Sequence, residues 1–190
     1  VNKNRASFLY LKARDYALAP LMLNDEFRGS LHKTVDKFRP SLDGFGRSDA
    51  PALYWAASAW MAWTALNLDK TEVLMDIPKI EAMLLKVIEL DEVNLWALAG
   101  LTEARRSAGD HQETFDLLVR RAELELDMKT VRALRFEAAE IALQHLEQLD
   151  RATELFEQLF EDEPTDRKAS EALWAAYERG EKWLELSRLS

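Results

Sequence analysis

Cysteine is absent from the 190 residues, and glycine and proline number only six and five. The first absence excludes disulfides, thiolate chemistry and cysteine-based metal sites, and it fits a reducing cytoplasm or a disulfide-free periplasm equally well. The second removes the turn residues that strand-rich folds need. Runs of Val, Ile and Thr are missing too, so no segment reads as a strand. Basic charge is also short: 25 Lys and Arg against 34 Asp and Glu leave a net charge of -9, which argues against nucleic acid as a partner. Histidines number three. His32, His111 and His145 lie far apart, without a second His at i+4 or a Glu-flanked metal motif, so surface or capping roles are expected of them. No phosphate loop or nucleotide fingerprint occurs. The sequence therefore assigns no catalytic residue, cofactor or metal ligand, and a non-enzyme is expected. An enzyme reading would require a histidine and a carboxylate to meet inside a cavity.

What remains is a composition dominated by Ala, Leu, Glu, Lys and Arg, with 48% hydrophobic residues, enough for a substantial core without staples. The expected fold class is all-α: antiparallel helical hairpins stacked as a tetratricopeptide-like right-handed superhelix. Apolar spacing places a first helix over 4–27, which Pro20 should kink or divide. Ser30 is the expected N-cap of a short helix through Val35 and Phe38, and the turn-rich stretch 40–48 is the expected mobile lip. Val1-Asn2-Lys3 shows no charged start, apolar stretch and cleavage site, so any signal or lipid-attachment segment is expected to have been removed ahead of it.

The stretch 50–68 carries no charge and is long enough to span a bilayer, but it holds seven alanines with Pro51, Ser58, Thr64 and Asn67. A buried central helix is the expected outcome, not a membrane span. Its aromatic set, Tyr54, Trp55, Trp60 and Trp63, reads first as packed core. The sharper reading is a cleft for an amphipathic molecule, lined by these four, with Ser58, Thr64, Tyr10 or Arg14 orienting a polar head. Arg14 beside Asp15 reads equally well as a structural ion pair.

Further along, Asp76 and Pro78 open a helix to about Leu90 with Ile80, Leu84, Val87 and Ile88 on one face. Helices follow over 94–107, 110–126, 129–145, 150–160, 166–178 and 181–189, joined by tight turns such as Ala108-Gly109-Asp110. The acidic runs at Glu161-Asp162-Glu163 and Glu123, Glu125 and Asp127 are expected to be solvated. Trp96, Trp174 and Trp183 are expected to pack hairpin on hairpin.

The pairs Leu84/Val87, Val119/Ala122 and Phe156/Leu159 recur at about the tetratricopeptide period, and Ala152, Phe156 and Pro164 match that signature's spacing. Residues 95–189 thus resemble tetratricopeptide repeats. Their concave face is the usual place for a peptide or protein partner.

A second resemblance covers 7–92. It is carried by Leu9-Tyr10-Leu11-Lys12-Ala13-Arg14-Asp15-Tyr16-Ala17-Leu18, then Ala50-Pro51-Ala52-Leu53-Tyr54-Trp55-Ala56-Ala57-Ser58-Ala59-Trp60, then Asp76-Ile77-Pro78-Lys79-Ile80 and Ile88-Glu89-Leu90-Asp91-Glu92. Together these blocks resemble the T-component proteins of tripartite ATP-independent periplasmic (TRAP) transporters. The resemblance implies a periplasmic, lipid-anchored helical protein without enzyme activity. It further implies an apolar cleft or pore and a protein partner, a periplasmic substrate-binding protein; homo-oligomers are left open. The expected organisation is a T-component-like region over 1–92, with its charge-free helix at 49–68, and repeat hairpins over 93–190, in one continuous structural unit. The alternative is a tetratricopeptide-like interaction scaffold without a native ligand, cytoplasmic in that case. Natural divergence, a natural fusion and an engineered joining of helical fragments all fit the change between the halves.

Overall fold

A computed structural model describes residues 2–180, and among them all regular structure is helical. The expected helix at 181–189 and Trp183 lie outside the described residues. Contacts divide the chain into two compact units, Val1–Ala104 and Arg105–Ser190.

In the first unit, α1 (Lys3–Leu21) starts where the Asn2 side chain accepts the backbone N–H groups of Asn4 and Arg5. Pro20 divides the expected long helix: α1 stops at Leu21, and Asn24 caps a separate α2 (Asp25–Ser30). Ser30 is therefore not the N-cap the sequence suggested. Thr34 precedes α3 (Val35–Phe38), while the Ser30 hydroxyl turns inward to the Phe27 carbonyl and the Ser41 hydroxyl, 2.8 Å from each. The stretch 40–48 is likewise not a free lip. Ser41, Leu42 and Phe45 are buried, and the Phe45 ring meets Phe27 edge-on at 5.1 Å, since a loop carrying Leu and Phe can anchor itself on the core.

The charge-free α4 (Ala50–Leu66) is the centre of this unit, with α1 on one side and α6 (Ile77–Leu90) on the other. The short α5 (Thr71–Leu74) lies between α4 and α6. Cross-links between α1 and the α4 end fix their direction. Lys3 reaches Asp69, the Ser7 hydroxyl accepts from Asn67 at 3.1 Å, and Arg14 lies over the Trp60 ring. Early residues meet late ones, so the pair is antiparallel. Ala56 and Ala57 are fully buried, which lets the neighbouring helices approach closely. No helix among the described residues is long and apolar enough to cross a membrane.

After α7 (Leu95–Ala108), the second unit runs through α8 (His111–Leu124), α9 (Met128–Gln144), α10 (Leu149–Asp162) and α11 (Arg167–Arg179). Each of α8, α9 and α11 opens on an aspartate whose carboxylate accepts backbone N–H groups of the first turn, from Asp110, Asp127 and Asp166. Gly109 sits at φ 74, a left-handed turn that favours glycine. Sequential helices pack as antiparallel hairpins around Phe115, Leu118, Ala138, Phe156 and Leu173. Helices one hairpin apart also meet. Gln148 donates to Gln112 and Arg179 to the Leu143 carbonyl, each across 36 residues, and Arg151 lies over the Phe115 ring. That recurring offset is the tetratricopeptide-like repeat seen as contact.

One expectation needs correction here. Trp96 and Trp174 are not buried wedges between hairpins: Trp96 is 70% exposed and meets α4 by stacking on Tyr54, and Trp174 is also on the surface, because Ala97, Leu98 and Leu173 occupy the inward positions. The acidic run at 161–163 is exposed, as expected, and two of its members pair with arginines. Arg132 bonds the Leu159 carbonyl, reaches Glu163 and meets Asp166 at 2.6 Å, while Arg135 meets Asp162 at 3.2 Å.

The Arg132 guanidinium, followed by the N–H groups of the α11 cap, holds the Asp166 carboxyl below its ordinary value of 3.8. A lowered folded-state pKa means the stabilisation is full above 3.8 and lost as the pH falls through the lowered value. Asp166→Asn keeps a cap acceptor but loses the charge. Its expected cost at neutral pH is about 0.5 kcal/mol, as for a screened pair, and urea titrations should show that difference shrinking in acid.

Candidate functional site

The first unit contains an open groove of about 730 Å³, within the range of small-molecule sites. Leu18 on α1 and Trp60 on α4 form its buried floor, with Trp60 only 4% exposed. The segment before α3 and the first residue of that helix supply one wall through Leu31 and Val35, with His32, Lys33 and Thr34 on the exposed rim. Opposite, Met75, Asp76, Pro78 and Lys79 come from the start of α6. Met22 and the Arg14–Asp15 pair complete the lining.

Polar bonds hold the walls in register. The Trp60 Nε1–H donates to Asp76 Oδ2 at 3.2 Å, tying the centre of α4 to the α6 start. Lys79 is buried, 7% exposed, and its Nζ donates to the Leu31 carbonyl at 2.9 Å, with Asp76 Oδ1 further away at 3.5 Å. Lys79 thereby fastens α6 to the segment before α3. The Arg14 guanidinium lies 5.3 Å from the Trp60 ring centre and bonds Asp15 at 2.7 Å, so the ion-pair and aromatic readings of Arg14 both apply.

Of the seven residues proposed from sequence, Arg14 and Trp60 line this groove, while Tyr10, Tyr54, Trp55, Ser58 and Trp63 do not. Trp55 is 60% exposed and meets Tyr54 edge-on at 5.1 Å; Tyr54 in turn stacks on Trp96 at 6.1 Å. Tyr10 is exposed on α1, and Ser58 and Trp63 are half-buried on α4. Five residues from Trp55 to Trp60 turn a helix through about 140°, so the aromatic set divides between faces.

Leu18, Met22 and Lys79 are groove residues that sequence reasoning did not single out as such. The available signal was Lys79 three positions after Asp76, a helical i,i+3 pair of opposite charge. His32 shares the groove with Asp15 and Asp76, but no hydrogen bond joins it to either carboxylate. Among the described residues no three His, Asp or Glu side chains gather as a metal cluster. The other two histidines, thirty-four positions apart, stack face to face at 3.9 Å, a juxtaposition their sequence positions do not announce. In the second unit a smaller hollow of about 370 Å³ has Phe115 and Leu155 as its apolar part and Glu123, Arg135, Arg151 and Glu154 around them.

A family model described as TRAP transporter T-component matches residues 1–101, almost the whole first unit and its groove. No curated protein sequence matches the chain. Among solved structures, the chain is similar to one titled "Crystal structure of MamA protein", with a TM-score of 0.49 and 15% identity over 98% of this chain and 88% of that one.

Proposed function

The chain belongs to the TRAP transporter T-component family, and from that premise we propose that it is a non-catalytic, transporter-associated binding protein whose first-unit groove takes an amphipathic small molecule. In this reading it works beside a partner protein, a periplasmic substrate-binding protein, and resides in the periplasm, held to a membrane by a lipid. The observation that carries the proposal is the groove: a buried Trp60 and Leu18 floor with polar groups confined to defined points of the lining. Apolar bodies gain from leaving water there, and polar groups fix orientation.

The test is a thermal-denaturation panel of fatty acids, sterols and aromatic acids, followed by tryptophan fluorescence. A ligand at about 100 times its Kd adds about 2.7 kcal/mol to the unit that binds it, so its midpoint should rise by several degrees. If every compound leaves both the midpoint and the fluorescence unchanged, the groove reading falls. A second reading, a tetratricopeptide-like interaction scaffold, is favoured by the Phe115 hollow on the stacked hairpins. It predicts partner binding that Arg151→Ala weakens and groove ligands leave alone.

A further inference from the structure

We propose that the first-unit groove selects anionic amphiphiles, an oxyanion head on an apolar body, and that the Lys79 ammonium reads the head. This rests on the groove being a small-molecule site. The charge inventory is the first argument. The lining holds Arg14, Lys33 and Lys79 against Asp15 and Asp76, a locally positive balance on a chain whose net charge is -9. A cationic patch maintained on an acidic protein favours anions by the field it creates.

Lys79 supplies the second argument. A buried ammonium is costly unless its charge and its donors are matched. It has three N–H donors, and the structure gives it one short bond, to the Leu31 carbonyl at 2.9 Å. Its counter-ion Asp76 is 3.5 Å away, and the other Asp76 oxygen is engaged by Trp60. Lys79 therefore keeps donor capacity on the wall of a cavity, its charge paired with Asp76 only through the long 3.5 Å contact. Asp15 does not oppose an anion in the same way, because Arg14 meets it at 2.7 Å.

Lys33 on the rim has no side-chain partner among the described residues, so it adds attraction without competing bonds. For the body of the ligand, Leu18, Met22, Val35 and Pro78 offer apolar surface continuous with Trp60. A neutral head would leave Lys79 donor capacity unmatched, and a cationic head would face the Lys33 and Lys79 ammoniums, so the groove discriminates by penalty as well as by contact.

Calorimetric titration of the full chain with decanoate, decyl phosphate, decanol and decylammonium, all below micelle formation, tests this. Either oxyanion should bind about tenfold or more tightly than decanol, with decylammonium weakest; the two anions against each other tell carboxylate from phosphate. Lys79→Met should abolish the preference for the anions over decanol, read as the ratio of the two affinities in the same variant, with circular dichroism and the melting midpoint confirming the fold. Lys33→Glu, on the exposed rim, covers the case in which K79M fails to fold: it should lower the ratio of anion to decanol affinity about tenfold. Equal binding of decanoate and decanol overturns the anion inference and leaves the groove as an apolar site. An anion preference that survives K79M overturns the assignment to Lys79, and one that survives Lys33→Glu in place of an unfolded K79M overturns the electrostatic reading. Binding of none of the four overturns the groove reading, and this inference with it.

Discussion

Phe156→Ala should destabilise the second unit by about 4 kcal/mol, read as a lower denaturation midpoint for that unit. Phe156 is 1% exposed on α10 and meets Phe136 of α9 at 5.5 Å in an edge-on arrangement, while Ala152 and Leu159 of its own helix are equally enclosed. Removing the ring forfeits its transfer free energy and leaves a cavity that small neighbours such as Ala138 and Ala169 cannot fill. Against a typical total of about 5–15 kcal/mol for a domain, such a loss brings the unit close to unfolding at ambient temperature. Phe156→Leu keeps most of the volume and should cost about a third as much. Similar costs for the two variants would show that the hairpins close around the missing ring, against the tight packing described here.

Trp60→Ala should cost the first unit about 3 kcal/mol and remove groove binding together with stability. The ring is the groove floor, lies beneath Arg14 and bonds Asp76, so three relationships end at once. The stability cost falls at the lower end of the usual range for an aromatic, because the groove already gives water access and the Asp76 carboxylate can be hydrated. Trp60→Phe separates the contributions: it keeps a flat apolar floor but has no N–H for Asp76, and should cost about 1 kcal/mol while retaining ligand binding. Chemical denaturation followed by calorimetric titration distinguishes the two variants. Undiminished ligand affinity in Trp60→Ala would move the binding site away from this groove.

The helices of the second unit were legible because their boundaries are written in local chemistry. Asp110, Asp127 and Asp166 cap first turns, Gly109 supplies a left-handed turn, and apolar residues recur at helical spacing, all within a few residues of where they act. Asp76 with Pro78 also marked the start of α6, although the Asp76 carboxylate caps no N–H there and goes to Trp60 and Lys79 instead. Around Ser30 the local signal misled. A serine after glycine fits an N-cap, yet the hydroxyl is used by Ser41, eleven residues on, and α3 begins after Thr34 instead. The groove was less legible still. It joins Leu18 to Trp60 and Leu31 to Lys79, pairs separated by forty residues or more, and no periodicity specifies which faces meet at that range. The aromatic content of α4 pointed to the correct helix, but composition does not say that Trp60 faces inward and Trp55 outward.

The contacts that span 36 residues in the second unit have a consequence for how such a chain can change in length. Gln112 with Gln148, and Leu143 with Arg179, make the same kind of neighbour relation one hairpin further on. A hairpin copied whole and inserted at a turn would find its contact positions already present on both sides, whereas two or three extra residues inside a helix would rotate every later contact off its face. Duplication of complete modules is therefore the tolerated route to a longer chain, and frame-preserving small insertions belong in the turns.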